Sequence, residues 1–353
     1  MNVPERLRGE NTRVLKMQFV NLTTKINVKP YEESDAPLWD EFIGRSINGT
    51  IFHRRKFLSY HPPRRFADSS LMFYTRNTLM GVFPAAIILD NGKKVLKSHP
   101  GSSFGSLVVD RPPGILDANQ MVQELMKYAS LQGCERIEFR MAPKIYNIYP
   151  ADELDFAFRL NGFNMRDVEL ATCVPLEKFA SQAEEDIIRT FDESCRRSTR
   201  KALSAGVEVR LTQDEADIKA FWDVLAENLK KHGAKPTHTK EELLDLKRRF
   251  PDDVELVGVF DGGRLIAGIV AFVVNRNAAH VFYFGSLYAH QEKRGLNLAV
   301  LRLIQFGLNR KLKYVNFGIS TEKGGKFVNW GLFRFKESFG GHGAVRAYWV
   351  KEL

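Results

Sequence analysis

The second half of this 353-residue chain repeats the order of strands, turns and helices found in its first half. Residues 71–139 predict three strands joined by turns, a Gly/Pro loop, a helix near 118–131 and a further strand. Residues 255–317 predict the same order, with a basic glycine loop before a helix near 296–311. The repeat period, roughly 180 residues, is far longer than that of a solenoid. The pattern therefore predicts two domains of one fold, side by side, with a cleft between them that suits a ligand.

The composition is that of a soluble globular protein, with 44% hydrophobic residues. No apolar run approaches the ~18 residues of a membrane span, and the polar residues 1–16 do not form a signal peptide. Three scattered cysteines (Cys134, Cys173 and Cys195) do not suit a zinc site and predict a reduced, cytoplasmic compartment. The net charge of +10 favours an anionic partner, although a merely soluble basic surface is the alternative.

Four segments follow from these patterns: a polar arm (1–26), a first domain (27–177), a linker helix (178–206) and a second domain (207–353). The linker helix has an acidic start and a basic end, which suits its macrodipole. Asp117 is the predicted N-cap of the helix in the first half, and Thr239 with Glu242 forms a capping box in the second. The order of elements indicates an α+β fold.

A basic loop at 291–299 is the first candidate site, because it follows a strand and precedes an apolar helix. Backbone N–H groups at a helix start, with nearby lysine and arginine side chains, bind pyrophosphate. The loop resembles the pyrophosphate loop of acetyltransferases, with Arg294 and Leu296 at the glycine positions of that motif. The alternative is a polar loop that caps a core helix. The candidate cofactor-binding residues are Gln291, Lys293, Arg294, Gly295 and Asn297.

The C-terminal run is the most specific stretch, with Phe335-Lys336 shortly before Phe339-Gly340 and after a strand that ends at Gly318. This run resembles the acetyltransferase-like family that includes the Fem-type peptidyltransferases, as do residues 196–202 and 49–53. The resemblance covers most of residues 28–350. It implies two tandem acetyltransferase-like (GNAT) domains with mixed, mostly antiparallel sheets flanked by helices. It also implies transfer of an acyl or aminoacyl group to an amine.

The same resemblance implies that Lys336 and an arginine of the linker, Arg197 or Arg200, face phosphates or a developing oxyanion. Fixed cations stabilise the negative charge that aminolysis of a thioester or ester builds on the carbonyl oxygen. Arg334 and Glu322 of the C-terminal run are candidate substrate contacts, and Ser320 is a candidate catalytic residue beside the acceptor. The alternative for Arg334 and Lys336 is a solvated helix face.

Two histidines on the loop 232–238, His232 and His238, could line the substrate cleft, and either could accept a proton from an amine. An exposed structural loop is the alternative. Tyr283 is a candidate general acid to a thiolate leaving group, with a core role as its alternative. No nucleophile–base arrangement or metal-ligand set stands out, so direct attack without a metal or a covalent intermediate is expected.

These observations predict a cytoplasmic N-acyltransferase that uses acetyl-CoA or another acyl-CoA as co-substrate and a small or envelope-related amine as acceptor. Prolines in the loop 109–114 remove N–H donors, so the first domain is predicted to be degenerate. An aminoacyl-tRNA-dependent transferase is the alternative, although residues 214–250 predict two ordinary helices in place of the long helical arm common in that group. A non-catalytic module that binds an anionic polymer or nucleotide is the third hypothesis.

Overall fold

The computed structural model describes residues 25–62, 65–231 and 233–353. Residues 1–24 of the predicted arm lie outside the described residues, and so does the candidate substrate-binding residue His232.

The first half contains the following elements: β1 (Ile26–Pro30), α1 (Ala36–Arg45), α2 (Arg55–Leu58), β2 (Ala67–Asp68), β3 (Leu71–Thr75), β4 (Thr78–Phe83), β5 (Ala86–Asp90), β6 (Lys93–Ser98), β7 (Val108–Val109), α3 (Ile115–Leu131), β8 (Arg136–Arg140), α4 (Glu153–Leu160) and β9 (Asn164–Pro175). Helix α3 begins three residues earlier than the sequence indicated. Its N-cap is Gly114, and Asp117 lies in the first turn, where its charge still complements the helix dipole.

The second half contains α5 (Glu184–Arg189), α6 (Glu193–Leu203), β10 (Glu208–Thr212), α7 (Glu215–Lys230), α8 (Lys240–Arg249), β11 (Val254–Asp261), β12 (Arg264–Asn275), β13 (Ala278–Ser286), α9 (Gly295–Asn309), β14 (Tyr314–Ile319), β15 (Thr321–Glu322), β16 (Phe327–Val328), α10 (Trp330–Glu337) and β17 (His342–Glu352). The capping box of Thr239 and Glu242 at the start of α8 is confirmed. The linker carries two helices in place of one, because Asp192 caps a new helix and accepts the N–H of Cys195 at 2.7 Å.

One 11-stranded sheet runs through both halves in the order β10-β11-β12-β13-β14-β9-β17-β8-β6-β5-β2. The remaining strands of the first half form a four-stranded sheet, β1-β3-β4-β7. The last strand, β17, lies between β9 and β8, so the C-terminus is built into the sheet of the first half. The domain boundaries drawn from the sequence stay a prediction.

The predicted repeat is visible in the order of the strands. In the second half, the antiparallel strands β11, β12 and β13 lead to α9, and β14 then pairs in parallel with β13. In the first half, β3–β4 and β5–β6 are antiparallel pairs, the short β7 precedes α3, and β8 after that helix pairs in parallel with β6. The halves differ at Pro84, which separates β4 from β5, whereas β12 is continuous in the second half. A proline lacks the N–H that a central strand donates to its neighbour, so the first half divides its strands between two sheets.

One large apolar cluster of the described residues spans the two halves. Phe52, Phe104 and Tyr146 of the first half pack with Phe272 and Val281 of the second, and all five are buried. Aromatic rings cross the boundary directly, with the centroids of Phe52 and Phe272 5.7 Å apart. The burial of this apolar surface holds the first half against β12 and β13 of the second half.

Candidate functional site

Strands β13 and β14 pair in parallel over three residues only, from Ala278–His280 on one strand to Tyr314–Asn316 on the other. Beyond these residues the strands diverge, and a cleft of about 740 Å³ lies between them. Its lining includes residues 280–284 of β13 and residues 317–319 of β14, together with side chains of α7, α10 and β17. The backbone of two splayed strands therefore borders an open volume at the centre of the large sheet.

Local backbone features hold the strands apart. The register between β12 and β13 shifts at Phe282, where β13 carries one extra residue. On β14, Gly318 has a φ of +72°, and its N–H donates to Oδ1 of Asn316 at 2.7 Å. A Cβ atom on Gly318 would lie 3.4 Å from the carbonyl oxygen of Val281, across the apex of the cleft. Glycine therefore serves here for its left-handed conformation and for the space that it leaves.

Lys336, from the last turn of α10, is only 2% exposed, although its neighbour Arg334 is exposed. Its Nζ donates to the carbonyl oxygens of Gly318 at 3.0 Å and Ile319 at 2.6 Å. Burial lowers the pKa of Lys336 to about 7, with a contribution from the nearby positive charge of Arg346. The alternative of a solvated helix face is therefore wrong for Lys336 and holds for Arg334.

Arg346 of β17 also lines the cleft and is paired with Glu169 on β9. A carboxylate oxygen of Glu169 accepts from Nε of Arg346 at 2.8 Å and from an Nη at 2.5 Å. Burial lowers the pKa of Arg346, and the Glu169 carboxylate opposes that shift. Sequence reasoning missed this pair, because only the insertion of β17 beside β9 brings the two side chains together.

A chain of buried polar groups runs along the apex of the cleft. The amide of Asn316 donates from Nδ2 to the hydroxyl of Tyr146 at 2.6 Å, and that hydroxyl lies 3.0 Å from Nδ1 of His280. Burial lowers the pKa of His280 to about 3. Sequence reasoning missed all three residues. The sequence did contain a signal for two of them, since Asn316 and His280 are polar residues that each interrupt an apolar run on a predicted strand.

Four of the predicted site residues line the cleft: Tyr283, Gln291, Glu322 and Lys336. The structure also joins Tyr283 to His238, whose backbone N–H donates to the tyrosine hydroxyl at 3.1 Å. The same hydroxyl lies 2.8 Å from Nδ1 of His238. Burial raises the pKa of Tyr283 and lowers that of His238 to about 4. His238 is only 3% exposed, so this part of the loop is not the exposed structural loop weighed as an alternative.

The basic loop places the start of α9 at the wide end of the cleft, where Gln291 and Leu296 line it. Among the described residues, no side chain caps this helix, and its N-cap residue Arg294 has a φ of +52°. Lys293 forms an ion pair with Asp261 at 2.6 Å. Asn297 is buried and reaches toward α6, with Nδ2 3.5 Å from Sγ of Cys195. Lys293 is therefore half-buried and ion-paired, Asn297 is buried, and Arg294 is exposed.

The other predicted residues do not line this cleft. Arg197 pairs with Glu193, and Arg200 pairs with Glu185, on the exposed surface of the linker helices. Ser320 is buried, and its Oγ has no hydrogen-bond partner in the part of the chain that the structure describes. The described residues contain no group of three His, Cys, Asp or Glu side chains that could hold a metal ion. Among the described helices, none is long and apolar enough to cross a membrane.

Comparison with known proteins gives a consistent picture of the fold. The family model for the acetyltransferase (GNAT) domain matches residues 189–337. The structure of FemX is similar, with a TM-score of 0.70 and 11% identity, covering 93% of this chain and 97% of FemX. L-PGS from Bacillus licheniformis aligns with a TM-score of 0.55 and 11% identity, over 84% of this chain and 91% of its own.

A tandem GNAT protein from the clavulanic acid biosynthesis pathway aligns with a TM-score of 0.53 and 9% identity, over 93% of this chain and 98% of its own. No curated protein matches the sequence. At such low identity, these likenesses establish the fold, and they agree with the tandem arrangement expected from the repeat.

Proposed function

We propose that this chain, whose residues 189–337 match the family model for the acetyltransferase (GNAT) domain, is an acyltransferase that moves an acyl group from acyl-CoA to the amine of a small or envelope-related acceptor. The observation that carries the proposal is the cleft between β13 and β14, with a buried lysine at its wall. The donor binds along this cleft, and the amine attacks its thioester directly.

The shape and chemistry of the cleft support an acyl-CoA donor. The pantetheine arm of CoA is a narrow chain with two amide groups, and the splayed edges of β13 and β14 present backbone groups that can bond to it. The uncapped start of α9 lies at the wide end, where helix N–H groups can receive the diphosphate. Arg294 adds an exposed positive charge there, which partly replaces the ion-paired Lys293.

The buried cations suit the charge that develops in the reaction. When an amine adds to a thioester, the carbonyl oxygen becomes an oxyanion, and fixed donors nearby lower the barrier. Lys336 and Arg346 both line the cleft and can provide this stabilisation. Burial raises the pKa of the Cys173 thiol to about 12, because the thiolate would be poorly solvated. A thiol of that kind is a poor nucleophile, which supports direct transfer over a cysteine intermediate.

An acceptor can approach from a second cleft of about 760 Å³ on the first half, lined by Arg55, Arg65, His61 and Asp68 among others. The ring centroid of Tyr60 lies 4.1 Å from that of His61 and 5.5 Å from that of His238, so this cleft adjoins the loop that carries His238. Acidic and basic side chains are mixed along its lining, which suits an acceptor that carries both an amine and an anionic group.

An aminoacyl-tRNA donor is the second candidate. The described residues of 214–250 form α7 and α8, as expected. From the sequence alone, two ordinary helices in place of a long arm favoured an acyl-CoA donor. However, the alignment covers 97% of FemX, so FemX has little structure that this chain lacks. The lack of a long helical arm therefore does not separate this chain from FemX. The net charge of +10 also suits tRNA.

The proposal is tested by calorimetric titration with acetyl-CoA, followed by thiol release with a panel of small amines. We expect saturable binding that survives moderate salt, and turnover that falls about 10²–10³-fold in Lys336→Met. Lys127→Met is the matched control, since Lys127 is an exposed residue of α3 paired with Glu124. Unchanged rates in both Lys336→Met and Arg294→Ala would contradict the proposal. Binding without turnover would favour a non-catalytic module, and binding of charged tRNA alone would favour the second donor.

A further inference from the structure

Hydrogen bonds link Gly318, Asn316, Tyr146 and His280, and the chemistry of the groups determines which atom donates in each. The backbone N–H of Gly318 can only donate, so the atom of Asn316 that it meets at 2.7 Å must be the amide oxygen. The Nδ2 of Asn316 therefore faces Tyr146 and donates to its hydroxyl oxygen at 2.6 Å. The orientation of the Asn316 side chain is thus set by a main-chain group.

The hydroxyl proton of Tyr146 has one available hydrogen-bond acceptor among the described residues. Tyr146 is fully buried, and Asn316 and His280 are the hydrogen-bond partners of its hydroxyl among the described residues. Because Asn316 donates to the oxygen, the O–H must donate to Nδ1 of His280, 3.0 Å away. An imidazole that accepts at Nδ1 and is neutral carries its proton on Nε2.

We infer that Tyr146, from the first half of the chain, fixes His280 as a neutral Nε2–H donor that hydrogen-bonds the oxyanion in the cleft between β13 and β14. His280 lines that cleft, and its Nε2 makes no protein hydrogen bond within the described residues. Unlike Oγ of Ser320, it is also not sealed away from solvent. The role as oxyanion donor rests on the proposed acyl transfer, whereas the tautomer follows from the contacts alone.

The surroundings of His280 keep it neutral. The rings of Phe104 and Phe52 lie against it, with centroids 5.7 and 6.1 Å away. The charges that lower its pKa from other elements are those of Arg346 of β17 and Lys336 of α10, and Glu169 is already hydrogen-bonded to Arg346. A further positive charge on the imidazole would be poorly solvated and repelled by both cations, so His280 is a weak base and stays neutral at neutral pH.

The chemical role is donation of a hydrogen bond without proton transfer. The amine nitrogen forms a bond to the thioester carbon, and the carbonyl electron pair moves to oxygen, where Nε2–H of His280 stabilises it. Collapse re-forms the carbonyl and releases the thiolate, and the proton lost by the amine ends on that thiolate or in solvent. The imidazole keeps its own proton throughout. The first half of the chain therefore contributes to catalysis by setting one tautomer.

The test is long-range ¹H–¹⁵N NMR of histidine-labelled protein, which distinguishes protonated from unprotonated ring nitrogens. We expect His280 to show a protonated Nε2 and a bare Nδ1, unchanged between about pH 5 and 8. In Tyr146→Phe, we expect loss of this single tautomer and a fall in kcat of about 10–100-fold, with little change in the KM for acyl-CoA. Tyr128→Phe, which removes the hydroxyl of a half-buried tyrosine on α3, is the control.

Two results would overturn the inference: a protonated Nδ1 in the wild-type protein, or a wild-type kcat in Tyr146→Phe despite a changed tautomer. If Tyr146→Phe fails to fold, His280→Ala provides the kinetic measurement, with the same expected loss in kcat. A wild-type protein that turns over no acyl donor would contradict the proposed function. The tautomer spectrum would still decide whether Tyr146 controls His280.

Discussion

The ammonium group of Lys336 lies 2.6 Å from the carbonyl oxygen of Ile319, at the end of the strand that forms one wall of the cleft. This contact and the one to Gly318 hold the cation beside the position where β14 leaves β13. The site therefore has a fixed donor whose charge changes near neutral pH, since burial lowers the pKa of Lys336 to about 7.

Lys336 should give the protein a measurable dependence of stability on pH. Its pKa is about 7 in the folded state, against 10.5 when the chain is unfolded, so between these values only the unfolded state holds the proton. Stability contributed by this group therefore rises with pH across that window. Lys336→Met lacks this gain. We therefore expect its free energy of unfolding minus that of the wild type to decrease as pH increases from about 7 to 10. Denaturant curves measure this, and parallel pH profiles would contradict it.

Gly318 should be required for donor binding as well as for the backbone. Gly318→Ala adds a Cβ 3.4 Å from the carbonyl oxygen of Val281, and its φ of +72° costs about 1 kcal/mol for a non-glycine residue. Gly92→Ala is the matched control, since its φ is +82° and its Cβ would meet nothing within 4 Å. We expect similar losses of stability in both, but at least a tenfold weaker Kd for acetyl-CoA in Gly318→Ala alone. Equal affinity in the two variants would contradict this assignment.

Asn297 should affect stability and leave donor binding intact, which reverses its expected role as a cofactor residue. Its side chain is buried against α6, and Nδ2 lies 3.5 Å from both Sγ of Cys195 and Oγ1 of Thr199. These distances are long, so we expect Asn297→Ala to cost only about 1 kcal/mol in thermal or chemical unfolding. The Kd for acetyl-CoA should stay within about twofold of wild type by calorimetry. A large loss of affinity at unchanged stability would restore the cofactor role.

Local patterns predicted much of the fold, because caps, turns and alternation act over a few residues. Thr239 and Glu242 marked a helix start correctly, and the repeat of strand order was visible without any contact between the halves. The insertion of β17 between β8 and β9 was not predictable in this way, since the pairing joins residues far apart in sequence. The same limit applies to Pro84, whose effect on the two sheets depends on neighbours that the sequence does not identify.

The residues of the candidate site also divide into those that local sequence patterns predicted and those that only the fold brings together. Lys336 came from a short motif within one segment, and the structure places it in the cleft. Tyr146, His280 and Asn316 come from three distant segments and meet only after both halves have packed. Basic residues such as Arg197 and Lys293 suggested ligand contacts by their charge, but Arg197 pairs with Glu193 of its own helix and Lys293 pairs with Asp261 of β11. The sequence shows that a side chain is charged, but it does not show whether a side chain of opposite charge pairs with it in the folded protein.

Hydrogen–deuterium exchange with and without acetyl-CoA tests whether the donor binds between β13 and β14, because it reports protection along the chain. We predict slower exchange in the diverging parts of β13 and β14 and at the start of α9, with little change in the four-stranded sheet of the first half. Binding that leaves these three segments unprotected, or no binding while a charged tRNA protects them, would contradict an acyl-CoA site between the two strands.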